Sequence, residues 1–364
     1  YEELRSMSLD EKLGQMVLVG VNGFEIDGQT VSMMEEYHVG GFILFKDNIQ
    51  DSTQLLSFLN QLKKANIINK VPLFLSLDEE GGRVTRLPDE LAKLPAARVI
   101  GQVDNEDFSF QIGSLTAEKM KLFGFNMNFA PVLDIGSNPR NTVIGSRAFG
   151  KTPELVGRVG VQVMRGIRSE GIIPVVKHFP GHGDTVEDSH IGLPIVEHDY
   201  DRLKSFELVP FSDALRNDAD AVMVAHILLP SLDPDNPASC SQVVINEILR
   251  GKLGFDGVVI TDDMTMGAIS ENWDIGEAAV RSVNAGSDII LVCHSHEKQV
   301  AVLQALKSSL QQGAISEERI NQSVYRILKL KRKYLLTDDP SSLSGMSAVN
   351  SGIDTLINTY CGNK

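Results

Sequence analysis

Cysteine, aromatic residues, basic charge and long apolar runs are all scarce in this chain. Its 364 residues include three cysteines, Cys240, Cys293 and Cys361. They lie far apart, show no C-x-x-C spacing and cannot all pair within one chain, so neither a disulfide scaffold nor a structural zinc site is expected. No run approaches the roughly 18 apolar residues of a membrane span. The first residues, Tyr1, Glu2, Glu3, Leu4 and Arg5, lack the charged-then-apolar pattern of an export signal. Lys and Arg number 34 against 48 Asp and Glu, a net −14, which repels nucleic-acid phosphates and anionic lipid. A soluble protein with no nucleic-acid partner, expected as a monomer, follows. Unpaired cysteines and the missing leader favour the cytoplasm, while a start without Met leaves a secreted or cell-wall-associated form open.

What the chain does have is a core and a rhythm. Hydrophobic residues make up 42% and charged residues 23%, enough for a large folded interior. Eight apolar runs recur: 17–20, 41–45, 72–78, 125–134, 172–178, 221–226, 257–262 and 288–293. Helical spacing lies between them, as in Gln54, Leu55, Phe58, Leu59 and Leu62, or Val156, Val159, Val163 and Ile167. Alternating strand and helix means a parallel sheet, and near-continuous apolar strands mean burial on both faces. Eight units favour a single (β/α)8 barrel over a doubly wound sheet. The expected organisation is a catalytic barrel over residues 1–336 and a C-terminal tail or linker over 337–364, with a weak helix near Ile353 to Thr359.

Several runs end in ionisable residues: Asp78, Asp134, Lys177-His178, His226, Asp262-Asp263 and His294. A barrel brings such ends together at one face, where barrel enzymes place their chemistry. Three segments stand out. Lys177 to His190 packs three His, two Asp, a Lys and two Gly after a buried strand, and its Gly and Pro residues predict a mobile loop. In Asp188-Ser189-His190 an extended backbone would put the acid and the imidazole on one side, so that the carboxylate accepts the ring N–H and makes an acid/base dyad. A satisfied loop histidine beside a local Asp turn is the plainer reading. Asp262, at the end of Val258-Val259-Ile260-Thr261, would sit in the barrel mouth, where a carboxylate can attack an anomeric carbon. Asp263 is expected to cap the following helix. Asp78, with Arg147 and Lys177 as donors and charges, would grip a polyol; ion pairing among the three is the alternative.

These segments together resemble the bacterial family 3 glycoside hydrolases, in the β-N-acetylglucosaminidase branch, over nearly the whole chain. Ile248-Leu249-Arg250-Gly251-Lys252 followed by Gly257 to Asp262 is similar to the family's nucleophile signature. Lys177 to Thr185, ending in Asp188-Ser189-His190, resembles the branch's catalytic loop. The resemblance implies Asp262 as nucleophile, His190 as acid/base polarised by Asp188, and sugar contacts from Asp78, Arg147, Lys177 and His178. It implies a retaining enzyme that removes terminal β-linked GlcNAc from peptidoglycan-derived muropeptides or related sugars, with no cofactor and no metal. Two other readings compete. His178, His182, Asp184, His190 and the His294-Ser295-His296 pair would suit a metal-dependent barrel hydrolase, and a barrel that binds sugar without catalysis would keep the same outline.

Overall fold

The computed structural model describes residues 2–362. Each of the eight apolar runs carries one strand, the fifth extending one residue past its run: β1 Val17–Gly20, β2 Gly41–Ile43, β3 Phe74–Leu77, β4 Met127–Asn128, β5 Ile173–Phe179, β6 Ala221–Val224, β7 Val258–Thr261 and β8 Ile290–Val292. They pair in parallel in the order β7-β6-β5-β4-β3-β2-β1-β8, and a parallel bridge between Ile260 and Ile289 closes the ring. The fold is a (β/α)8 barrel. Every strand residue is buried, as a parallel sheet covered by helices outside and packed with side chains inside requires.

The helices follow the spacing that forecast them. Ser52–Ala65 opens with Asp51, whose side chain accepts from the Gln54 N–H, and buries Leu55, Phe58, Leu59 and Leu62. Pro153–Ser169 has its proline in the first turn, where no N–H is needed, and buries Val156, Val159, Val163 and Ile167. Each such side chain contributes about 1.5–3 kcal/mol by leaving water. The fourth run is the exception. Only Met127–Asn128 is strand there, because Pro131 has no N–H for a ladder; the carbonyls of Ala130 and Pro131 still accept from the N–H groups of Val175 and Lys177.

The stretch read as tail or linker lies against the barrel. Its helix is longer than its composition suggests, Met346–Cys361, and buries Val349, Ile353 and Leu356. The Tyr360 ring meets Phe108 at 4.9 Å, and Asp338 accepts from the Leu73 N–H and the Asn66 amide. Among the described residues no helix is long and apolar enough to cross a membrane, and all three cysteines are free thiols.

Candidate active site

The carboxyl ends of the strands surround a cavity of about 550 Å³. The seven residues given catalytic or sugar-binding roles from the sequence line it: Asp78 after β3, Arg147, Lys177 and His178 on β5, Asp188 and His190 on the following loop, and Asp262 after β7. Lys177 and His178 are neighbours, yet both face the cavity, because the β5–β6 register shifts between Val176 and Phe179 and such an irregularity re-aims side chains. The Lys177–His178 and Phe179–Pro180 peptide bonds in this segment are cis.

The floor is a closed charge network that includes a residue not foreseen. Lys177 Nζ lies 2.7 Å from Asp78 Oδ1 and 2.9 Å from Glu80 Oε1. Arg147 grips Glu80 with two N–H bonds of 2.7 and 2.9 Å. Arg147 therefore pairs with Glu80 rather than with Asp78. Burial opposes the charge on each group, yet attraction prevails: Lys177 and Arg147 hold Glu80 far below the usual carboxylate range, while Asp78 and Glu80 keep Lys177 above the usual amine range and Glu80 keeps Arg147 charged. Asp78 is left with free acceptor capacity toward the cavity. Glu79, between them, points the other way, taking the Thr85 hydroxyl and the Arg86 and Leu87 N–H groups. Alternation along an extended chain puts Asp78 and Glu80 on one side, a signal present in the sequence.

Above the floor, His178 donates from Nδ1 to Asp134 at 2.6 Å, which fixes the tautomer and turns Nε2 toward the cavity side. Asp134 also accepts the His182 N–H at 2.7 Å. Burial would raise the Asp134 carboxyl, but His178 and His182 hold it below the ordinary range. Asp262 behaves alike: burial raises it, while His178, His226, the Asp263 N–H and Lys177 outweigh that and keep it anionic. His226 is itself fully buried between Ser239 and the Asp263 carbonyl, and burial pushes its imidazole down. Arg86, whose guanidinium faces the Phe45 ring at 5.9 Å, also lines the cavity and was not anticipated.

Asp263 is not a helix cap. Its carboxylate accepts from the Thr265 N–H and hydroxyl and from the Cys293 N–H, tying β7 to β8, while the short helix Gly267–Ser270 begins after Met266.

The loop after β5 is half anchored and half free. His182 is buried, its ring between the hydroxyls of Thr185 at 2.8 Å and Ser189 at 3.2 Å, and burial lowers its pKa. Gly183 lies so close to the Ile135 backbone that a Cβ would stand 1.7 Å from its carbonyl oxygen; here glycine serves close approach rather than freedom. Beyond this base, Asp188 and His190 meet through a turn, not an extended run. Asp188 Oδ1 accepts both the His190 backbone N–H at 3.0 Å and its ring Nδ1–H at 2.8 Å. Burial raises the Asp188 carboxyl, but its bonds to His190 leave it below the ordinary range. The His190 side chain is 65% exposed at the cavity rim, and its Nε2 has no hydrogen-bond partner among the described residues. The arrangement offers one half-buried anion at Asp262, one solvent-reached imidazole of fixed tautomer, and a polar clamp between them.

The proposed metal ligands do not converge. His178 and His182 rings stand 5.8 Å apart, edge to face, each committed to other partners, and Asp184 pairs with His198 at 2.8 Å. The His294 ring stacks on Phe45.

Residues 8–330 match the model of the glycosyl hydrolase family 3 N-terminal domain. A β-hexosaminidase of Xylella fastidiosa (strain 9a5c) is 35% identical over 285 residues, covering 77% of this chain and 83% of that protein. β-Hexosaminidase A of Pseudoalteromonas piscicida is 33% identical over 343 residues, covering 88% of this chain. The chain spans 56% of that relative's length. Among solved structures, a glycoside hydrolase family 3 β-N-acetylglucosaminidase from Paenibacillus sp. str. FPU-7 superposes with a TM-score of 0.92 at 40% identity, covering 98% of this chain and 69% of that one.

Proposed function

The chain belongs to glycosyl hydrolase family 3, and from that premise we propose that it is a retaining exo-β-N-acetylglucosaminidase acting on terminal β-linked GlcNAc of cell-wall fragments or related sugars. The observation that carries this reading is the pairing of a half-buried, anionic Asp262 with the loop-borne His190–Asp188 couple on one cavity. The names of the relatives, β-hexosaminidase and β-N-acetylglucosaminidase, support the sugar.

In the first step Asp262 attacks C1 of the terminal sugar. His190, as imidazolium, gives its Nε2 proton to the departing oxygen, while Asp188 holds Nδ1–H and stabilises the cation. Asp78 accepts from sugar hydroxyls, and Lys177, Arg147 and His178 set the charge and orientation of the clamp. In the second step the now neutral His190 removes a proton from water, which attacks C1 of the glycosyl-aspartate. Two inversions retain configuration. The lowered pKa of Asp262 matters here, because a nucleophile already ionised at neutral pH needs no base to activate it.

The test is release of para-nitrophenolate from para-nitrophenyl β-N-acetylglucosaminide in excess EDTA, with Asp262→Ala as control. Release that survives EDTA and vanishes in the variant is expected. Release abolished by EDTA would favour a metal hydrolase, and no release by the intact chain would favour a non-catalytic barrel.

A further inference from the structure

The base of the catalytic loop carries a second group of donor atoms, outside the cavity and unused by the proposed hydrolysis. Asp184 belongs to the loop, His198 precedes the helix Tyr200–Ser205, and Glu207 precedes the helix Val209–Arg216. His198 Nε2 lies 2.8 Å from Asp184 Oδ2 and 3.7 Å from Glu207 Oε1, and the three donor atoms lie within 4.8 Å of one another. Zinc bonds of about 2.0–2.2 Å to imidazole nitrogen and carboxylate oxygen put tetrahedral ligands roughly 3.3 Å apart. The observed spacings straddle that value. One imidazole with two carboxylates suits zinc, whereas calcium and magnesium are held by oxygens alone.

We propose that Asp184, His198 and Glu207 form a zinc site that pins the base of the catalytic loop. Without the ion, the charge of Glu207 is balanced by Arg202, whose guanidinium lies 3.0 and 3.3 Å from the two carboxylate oxygens. Arg202 does not block the site. Its side chain is 42% exposed and rests on the Phe206 ring at 4.4 Å, so it can turn to water without stranding a buried charge. The metal takes the Nε2 lone pair of the neutral His198 ring, which keeps its one proton on Nδ1. Asp184 and His198 are 33% and 24% exposed, so the fourth position stays open to water and the ion is exchangeable.

The location gives the site its consequence. Upstream of Asp184 the loop is already fixed, through His182 on Asp134 and Gly183 on Ile135. Downstream lie the exposed Val186 and Ile191 and the Asp188–His190 couple. A metal bond at Asp184 therefore lengthens the anchored part and shortens the free arm that carries His190. The assignment of that arm rests on the proposed function; the binding of the ion does not.

The experiment titrates the purified chain with Zn²⁺ in competition with a chromophoric chelator, alongside hydrogen exchange of residues 186–192. One zinc equivalent is expected to weaken at least about tenfold in Asp184→Asn and in His198→Gln, to persist in His190→Ala, and to persist or tighten in Arg202→Gln. Zinc should slow exchange of residues 186–192 in the wild type and leave Asp184→Asn unchanged. Equal affinity in Asp184→Asn and the wild type would overturn the site, as would loss of the ion in His190→Ala instead. Because zinc affinity is read without substrate, a failed turnover assay and a failed site are told apart.

Discussion

β7 has an anionic carboxylate at both ends. At its entrance Asp288, fully buried, accepts from Arg250 at 2.6 Å and from the Val259 N–H at 2.9 Å, and from the Ser323 hydroxyl at 2.7 Å. Arg319 and Arg326 stand within 3.6 and 3.4 Å. At its exit Asp262 is half-buried; among the described residues its carboxylate accepts only the Asp263 N–H, at 2.8 Å, and it opens on the cavity. The entrance cluster is closed in that both Asp288 oxygens are committed, even though Arg326 and Val258 also line a cavity of about 550 Å³ there. The exit keeps an acceptor idle and a space for substrate. A buried ion pair is therefore no mark of a site by itself; spare hydrogen-bonding capacity facing a void is.

The largest effect that would break this comparison comes from Asp262. Asp262→Ala should lower turnover at least about 10⁴-fold, the scale expected on removing a covalent nucleophile, while its urea midpoint stays near that of the wild type. Substantial residual turnover would take the nucleophile's role from Asp262. Asp288→Ala should do the reverse. Removing one partner of a buried pair leaves the others uncompensated, at about 3–5 kcal/mol, so the urea midpoint should fall while turnover per folded molecule is kept. Turnover lost with stability intact would erase the distinction between the two ends.

His190→Ala sharpens the exit end. Its loss should cost about 10²-fold on substrates with poor leaving groups, which need a proton, and much less on para-nitrophenyl substrates, which do not. Equal losses on both would remove the acid role.

The comparison also says what was legible in the sequence. The strands were, because parallel strands buried on both faces read as continuous apolar runs, and all eight runs carry one. Side chains at strand ends were legible for the same reason, since the barrel brings those ends to one face. Glu80 was harder. Asp78, Glu79 and Glu80 look alike as an acidic run, and only the alternation of the extended chain separates the two that face the cavity from the one that braces Thr85 and Arg86. Arg250 shows the opposite error of emphasis: it lies in the motif that resembles the nucleophile signature, yet it serves the closed end, holding Asp288 and the carbonyls of Phe255, Gly257 and Gly286. The turn joining Asp188 to His190, and the meeting of Asp184 with His198 and Glu207, depend on loop paths that no periodicity encodes.

The smallest effect concerns the closed end alone. Lys331 is fully buried there, donating to Gln15 Oε1 and to the carbonyls of Gly40 and Pro72, and burial pushes its amine down to about 7. An unfolded lysine titrates near 10.4. Below pH 7 both states hold the proton, and the native state carries the full cost of burying it. Between about pH 7 and pH 10 the unfolded chain holds the proton while the native chain releases it, so stability rises with pH at up to about 1.4 kcal/mol per unit. The buried thiols Cys240 and Cys293, both raised by burial, act with the opposite sign near pH 8 to 9, because only the unfolded chain ionises them. The readout is accordingly the difference between wild type and Lys331→Met, in which the thiols cancel. Relative to the variant, the wild type should gain about 1 kcal/mol between pH 7.5 and 8.5 in urea unfolding. Parallel pH profiles would mean that the three oxygen acceptors keep Lys331 charged, and that the closed end tolerates a full buried cation as the catalytic end does at Lys177.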